Sequence, residues 1–354
     1  MKKTKFVKRI FLIFMATTVL TSMLMGDLRQ ATSSTLDKTN TLEFVLYDAN
    51  QIRAWFGNNG HFVSHIPTGN SGLEWPSGSG NTAVFASGLW IIGTVDGELR
   101  SAVAEYSSEF QPGSIDYDPS TGVVGVPNNP VNPHFQVSSI NKTDSSDPNN
   151  PNYNREYDTW PASDGAPAHD GEYFTDDNND GFYNIDEDYE DFNGDGQYNG
   201  PDGELVTGED PPQIMGDQMH WYVMNDADSN RHSHLWNTQP LNIEVQTTTF
   251  GYDRADPLGN IMFMKWLVIN KSGASIEDTY IAIWSDGDLG DASDDYVGCD
   301  TRLSVGYYYN GVPIDQMYGI TPPALGFDFL QGPIVPSPGN TALVSGKVIE
   351  DYRN

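Results

Sequence analysis

Residues 83–106 read AVFASGLWIIGTV, then Asp96–Gly97, then ELRSAVAEY. Two runs rich in β-branched and apolar residues separated by Asp-Gly favour a tight hairpin, because this pair tolerates the positive φ that matches strand twist. The same grammar recurs along the chain. LEFVLY (42–47) and IRAWF (52–56) are short aromatic runs bounded by Asn, Asp and Gly. A second hairpin is expected at LSVGYYY–Asn310–Gly311–VPI.

In LNIEVQTTTF (241–250), Ile243 and Val245 alternate with Glu244 and Gln246, as on a half-buried strand. IMFMKWLVI (261–269) is apolar on both faces except at Lys265, which predicts a central strand. TYIAIW (279–284) follows a turn at Lys271–Ser272–Gly273. Nothing beyond the first 26 residues sustains a 3.6-residue apolar period over three turns, and 35 glycines with 22 prolines suit a turn-rich β protein. The expected fold is all-β, a β-sandwich of immunoglobulin-like or jelly-roll-like form.

The N-terminus carries an address. Lys2, Lys3, Lys5, Lys8 and Arg9 precede an apolar run from Ile10 to Met25, the pattern of a secretory signal peptide over residues 1–26. The run is shorter than the roughly 20 residues a spanning helix needs, so no membrane insertion is expected after cleavage. Removing five basic residues takes the formal charge from −31 to −31 − 5 = −36. Such a surface repels nucleic-acid phosphates and anionic membranes, and attracts divalent cations. With Cys299 the sole cysteine, no internal disulfide can form. A buried, inert thiol is expected there.

A polar spacer (27–40) leads into an N-terminal β region (41–140). An acidic insertion (141–215) separates it from a C-terminal β region (216–354), expected to pack with the first as one domain. Residues 141–230 hold 23 of the 49 acidic residues and only two basic ones, Lys142 and Arg155. A connection this long is uncommon in a compact domain unless it is functional or locally ordered.

Within it, DDNNDGFYNIDEDYEDFNGDG (176–196) contains no Lys or Arg. With Asp176 at the first position of a twelve-residue calcium loop, Asn178, Asp180, Gly181, Asn184 and Glu187 complete D-x-N-x-D-G-x5-E. Calcium takes six to eight oxygens at about 2.3–2.6 Å. Asp176, Asn178 and Asp180 offer side chains, Phe182 a carbonyl, Asn184 the ninth position, and Glu187 a bidentate carboxylate. Gly181 permits the sharp turn around the ion. A second copy follows fifteen residues on, with Asp191, Asn193, Asp195, the carbonyl of Gln197, Asn199 and Asp202. Its last ligand is shorter and follows Pro201. A helix does not fit between loops so spaced, so the pair resembles thrombospondin type 3 or dockerin calcium loops rather than a helix–loop–helix sensor. An acidic solvated tract can match the pattern in part, but a full match beside a near-match argues for Ca2+.

Asp286, Asp288, Asp291, Asp294 and Asp295, with Asp300, form a further acidic cluster after TYIAIW, either a second cation site or a wet loop. Asp226, Asp228 and Asn230 begin a calcium pattern in which Arg231 replaces the glycine. His220, His232 and His234 lack a third zinc ligand at a persuasive spacing. No nucleophile elbow, metalloprotease helix or phosphate-cradling loop is present, so no catalytic residue is assigned. Trp75 and Trp160, on Gly/Pro/Ser-rich loops, are candidates for a sugar-stacking platform.

The segments IRAWFGNNGHFVSHIPTGNSGLEWPSGSGNTAVFASGLWIIGTVDGELRSAVAEYSSEFQPG, MNDADSNRHSHLWNTQPLNIEVQTTTFGYDRADPLGNIMFMKWLVINKSG and DLGDASDDYVGCD are similar to the N-terminal region of large secreted Gram-negative surface proteins. Such proteins often continue into fibronectin type III-like modules and a type IX secretion sorting domain. The resemblance implies a cell-surface or extracellular β-rich protein, and says little of activity. It leaves open whether this chain, which reaches GKVIEDYRN without a sorting domain, is a fragment. Relatives tend to carry a second cysteine where Tyr308 stands, so the local disulfide the family suggests is out of reach of Cys299.

The expectation is a non-enzymatic, calcium-stabilised surface or adhesion protein, with a surface glycan or another matrix protein as its partner. From a different class, the alternative is a carbohydrate-binding or accessory region of a secreted polysaccharide-degrading enzyme.

Overall fold

The computed structural model describes residues 42–118, 123–127, 137–145, 149–154, 156, 214–229, 232, 235–333, 335–344 and 347–353. The signal-peptide and spacer readings lie outside them. The described residues are all-β, with no α-helix among them and short 3-10 turns that include Pro257–Asn260 and Ala292–Asp294.

Before the insertion come β1 (Phe44–Tyr47), β2 (Arg53–Gly57), β3 (His61–Phe62), β4 (Ser64–His65), β5 (Asn70–Ser71) and β6 (Leu73–Glu74). They are followed by β7 (Thr82–Val95), β8 (Glu98–Val103), β9 (Gln111–Pro112), β10 (Ile115–Asp118), β11 (Val123–Pro127) and β12 (Ser138–Asn141). After it come β13 (Gln218–Asn225), β14 (Ile243–Gly251), β15 (Met262–Asn270) and β16 (Glu277–Gly287). The last are β17 (Asp295–Asp300), β18 (Val305–Asn310), β19 (Ala324–Asp328), β20 (Val335–Val344) and β21 (Lys347–Arg353).

The strands pair as two main antiparallel sheets. One runs β1-β2-β3-β7-β16, with β6 bridging β2 and β7 and β8 beside β7; the other runs β12-β13-β14-β15, with β9 beside β13. Strands from both sides of the insertion share each sheet, since β16 pairs with β7 and β12 with β13. Asp96 and Gly97 have φ of 52° and 80°, so the Asp-Gly hairpin forms as its sequence predicts.

The sheets bury a common interior. Leu89 and Ile91 of β7 meet Tyr222 and Met224 of β13 and Ile243 and Val245 of β14. Tyr47, Phe56 and Phe62 meet Met262, Met264 and Trp266 of β15. Each fully buried Leu, Ile, Val, Met or Phe among them contributes about 1.5–3 kcal/mol by leaving water. The architecture is the expected sandwich.

Three local expectations fail for physical reasons. The strand β15 lies at the end of its sheet path, where Lys265 is exposed and Leu267 is 41% exposed. Its outer apolar residues find aromatic company instead of a second sheet, as Phe263 stacks on Phe250 at 5.1 Å. Asn310–Gly311 does not turn a hairpin into residues 312–314. The β17–β18 turn lies at residues 301–304, with Ser304 at φ 56°, and β18 then pairs with β19. Finally, Glu244 and Gln246 are buried rather than solvated. Glu244 accepts the Ile115 amide at 2.9 Å and meets Lys271 Nζ at 3.5 Å, so chain covering that face satisfies its charge.

The central strand β7 depends on close backbone approach. A β-carbon at Gly88 would stand 2.0 Å from the Ala104 carbonyl oxygen, whereas one at Gly306 on β18 meets nothing within 4 Å. Gly88→Ala is therefore expected to cost about 3 kcal/mol in urea unfolding. Gly306→Ala should be neutral or slightly stabilising.

Candidate functional site

The acidic insertion is the loop of a hairpin. β12 and β13 pair from Ser138↔Trp221 to Asn141↔Gln218. Just beyond, the Lys142 amide donates to the Asp217 carbonyl at 3.0 Å, and Lys142 Nζ lies 3.2 Å from the Asp217 carboxylate. The exposed ion pair is worth about 0–1 kcal/mol, so the ladder rather than the charges holds the two ends together. Asp176, Asn178, Asp180, Phe182, Asn184, Glu187, Asp191, Asn193, Asp195, Gln197, Asn199 and Asp202 lie outside the described residues.

At the root of the insertion the frame gathers carboxylates that the sequence pattern did not single out. Glu43 accepts the Val137 amide at 2.7 Å, Asp144 accepts the Asn141 amide at 2.8 Å, and Glu156 accepts the Ser139 amide. Asn154 ties them by donating to Asp144 at 2.7 Å and to the Ser139 carbonyl at 2.9 Å. Burial pushes Glu156 up to about 7, helped by the negative charges of Glu43 and Asp144 and opposed by the Ser139 amide.

The second acidic cluster folds into a corner but divides its carboxylates among protein donors. Asp286 accepts the Tyr106 hydroxyl at 2.7 Å, while Asp288 donates its amide to the Ala83 carbonyl at 3.3 Å. Asp291 caps the turn at Ala292–Asp294 through the Ser293 amide and hydroxyl, and also accepts Gln316. Asp294 accepts Asn310 Nδ2 at 2.9 Å, and Asp295 accepts the Leu289 amide at 2.8 Å.

The residue that organises this corner is Asp315, which no spacing rule marks. It is buried and accepts the amides of Met317, Tyr318 and Asp291. Burial acts against its ionisation, yet these amides and Asn310 together hold its carboxyl below the usual range. Burial pushes Asp295 up to about 6, reinforced by Asp294, Asp315 and Asp291.

The histidines separate into different environments. His220 is fully buried, 6.4 Å from the Tyr47 ring and 6.1 Å from Phe56, with neither ring nitrogen hydrogen-bonded. His232 Nε2 instead lies 3.1 Å from the Ser101 carbonyl and 3.5 Å from Glu109. His234 lies outside the described residues. Asp226 does not begin a calcium loop, because its carboxylate clamps the Leu241 and Ile243 amides at 2.6 and 2.8 Å. Burial pushes it up to about 7; the two amides offset part of this, and Glu109 adds to it.

Trp75 is half-buried, with its indole N–H donating to Asn260 at 2.8 Å and its ring 6.3 Å from Tyr318. Trp160 lies outside the described residues. Cys299 is exposed, contrary to expectation, because β17 is an edge strand paired only with β18. Among the described residues, no group of three or more His, Cys, Asp or Glu side chains is arranged to hold a metal ion. Comparison with family models, curated proteins and solved structures finds no match.

His220 gives a pH test of this site's most buried base. Burial lowers it from 6.5 to about 4, so the folded state favours the neutral ring. The stability this represents is present above pH 6.5 and is lost as pH falls through 4. Asp226 and Asp295, raised, act in the opposite sense, so the informative quantity is a difference. Between pH 7 and 4, the stability of wild type relative to His220→Leu is expected to fall by roughly 3 kcal/mol in urea unfolding.

Proposed function

We propose that this chain is a secreted, calcium-stabilised cell-surface or extracellular structural protein with an adhesive rather than catalytic role. The observation that carries the reading is the complete D-x-N-x-D-G-x5-E run from Asp176 to Glu187, followed by its near-copy from Asp191 to Asp202. Both lie in a hairpin loop whose ends are clamped by β12 and β13. A loop so anchored can be ordered by cations without any change in the frame that bears it.

Charge supports the same reading. An insertion this rich in carboxylates gains from neutralisation, and calcium supplies it with oxygen geometry that Asp, Asn and main-chain carbonyls meet. The basic and apolar leader supports export, and the resemblance to secreted Gram-negative surface proteins supports a position outside the cell. Weak extracellular calcium sites, with Kd of about 10⁻⁴–10⁻³ M, suit a structural rather than a signalling use.

Isothermal titration and thermal melts in calcium and in EGTA test this. Saturable binding is expected, with a melting temperature that rises with calcium; at a hundredfold excess over Kd one site adds about 2.7 kcal/mol. Asp180→Ala and Asp195→Ala should each remove one site. Replacing residues 157–213 by a Gly/Ser linker should leave a folded sandwich whose melting no longer responds to calcium. Absence of binding up to about 10 mM, above the weak extracellular range, would reduce the insertion to a solvated acidic loop.

A further inference from the structure

The three-stranded sheet β17–β18–β19 has two unlike faces. Tyr308, Leu325 and Phe327 turn inward onto the cluster around Tyr47, Phe56 and Phe62. On the outward face Tyr296 stands opposite Tyr309, and Tyr307 lies between Gly298 and Gly326. The three outward tyrosines are 58%, 42% and 36% exposed for Tyr296, Tyr309 and Tyr307. The Tyr309 ring contacts both others, at centroid distances of 6.0 Å and 5.9 Å and interplanar angles of 32° and 44°.

Glycines determine how these rings sit. A β-carbon at Gly298 would stand 2.5 Å from Cζ of Tyr307, and one at Gly311 would stand 1.9 Å from Cε2 of Tyr296. Side chains ordinarily rise steeply from a sheet. Here two rings lean across the backbone into space that only glycine leaves open. A contiguous aromatic surface of this kind marks a binding site rather than a scattered exposed residue.

The chemistry of the face selects its occupant. Adjoining π faces accept a ligand built of successive flat rings with C–H bonds on their faces. By strand alternation Asp300, paired with Arg302 at 3.0 Å, and Asp328 fall on this same side of the sheet, and the chain carries a formal charge of −31. Nucleobases also stack on tyrosine, but their phosphates are repelled by such a surface. Acidic glycans are repelled in the same way, while sugar hydroxyls can donate to the Asp328 carboxylate at the rim.

We propose that the Tyr296–Tyr309–Tyr307 face binds an uncharged polysaccharide whose pyranose rings carry their substituents equatorially. Its sheet is separate from the one that holds β12 and β13, and the proposal holds whether or not the insertion takes calcium.

The test measures binding of the full chain to cellulose, chitin, β-glucan and xylan, with polygalacturonate as the anionic control. Wild type should bind at least one neutral glycan and not polygalacturonate. Tyr309→Ala should weaken binding by about tenfold, the loss of one well-packed aromatic contact. Gly298→Val should weaken it too, although it removes no aromatic ring, because Tyr307 must then stand on edge. Tyr280→Ala, at a 70% exposed tyrosine on β16, should change nothing. Near-ultraviolet circular dichroism checks that each variant is folded. Failure to bind any neutral glycan, or retained affinity in folded Tyr309→Ala, overturns the proposal. So does self-association of the wild type that Tyr309→Ala abolishes, which would make a second copy the occupant.

Discussion

The pairing of β7 with β16 is the constraint on which the frame depends. It joins Val84 to Gly287 and Thr94 to Glu277, so the central strand waits for a partner made after the whole insertion. The other edge of β7 is shared among β6, β3 and β8. Pairing so distant in sequence carries a loop-closure cost before any contact compensates it, and folding of such topologies is slow. The close approach at Gly88 shows how little slack the strand has, since even a methyl group there meets the Ala104 carbonyl.

Where the sandwich encloses charge, it supplies partners at the backbone. Asp226 takes two amides, Glu244 an amide and Lys271, and Glu109 the Ser101 hydroxyl and the Val103 amide. Isolated buried carboxylates cost several kcal/mol, so these groups persist because each links separate segments. Residues 141–230 carry the largest share of the acid, 23 acidic residues against two basic ones, Lys142 and Arg155.

Much of the frame was legible because its grammar is local. Asp96–Gly97 announces a primed turn, the apolar runs beside turns announce β7 and β16, and period-two alternation announces β14. What failed was the inference from a face to its covering. The apolar run 261–269 suggested a central strand, yet β15 is an edge whose outer residues pack on Phe250 and expose Lys265. Glu244 and Gln246 suggested solvent, yet segments distant in sequence cover them. Asn310–Gly311 carried a hairpin signature, but here Gly311 makes room for the Tyr296 ring. The acidic corner was located by its sequence, while its organiser, Asp315, comes from a separate loop. Its role arises from three converging amides that no spacing predicts.

The same distinction separates the two sites proposed for this chain. A calcium loop is a linear device: its ligands lie within twelve residues, so spacing reveals it before any fold is known. An aromatic platform is a register device, made when Tyr296, Tyr309 and Tyr307 align across β17 and β18 over glycines from different turns. Trp75, the described tryptophan on a Gly-rich loop, is committed to Asn260 and Tyr318. The glycines are the more informative residues. A lone exposed tyrosine needs no explanation, but two rings laid into vacancies where a β-carbon cannot exist form a shape specified by residues other than the tyrosines themselves.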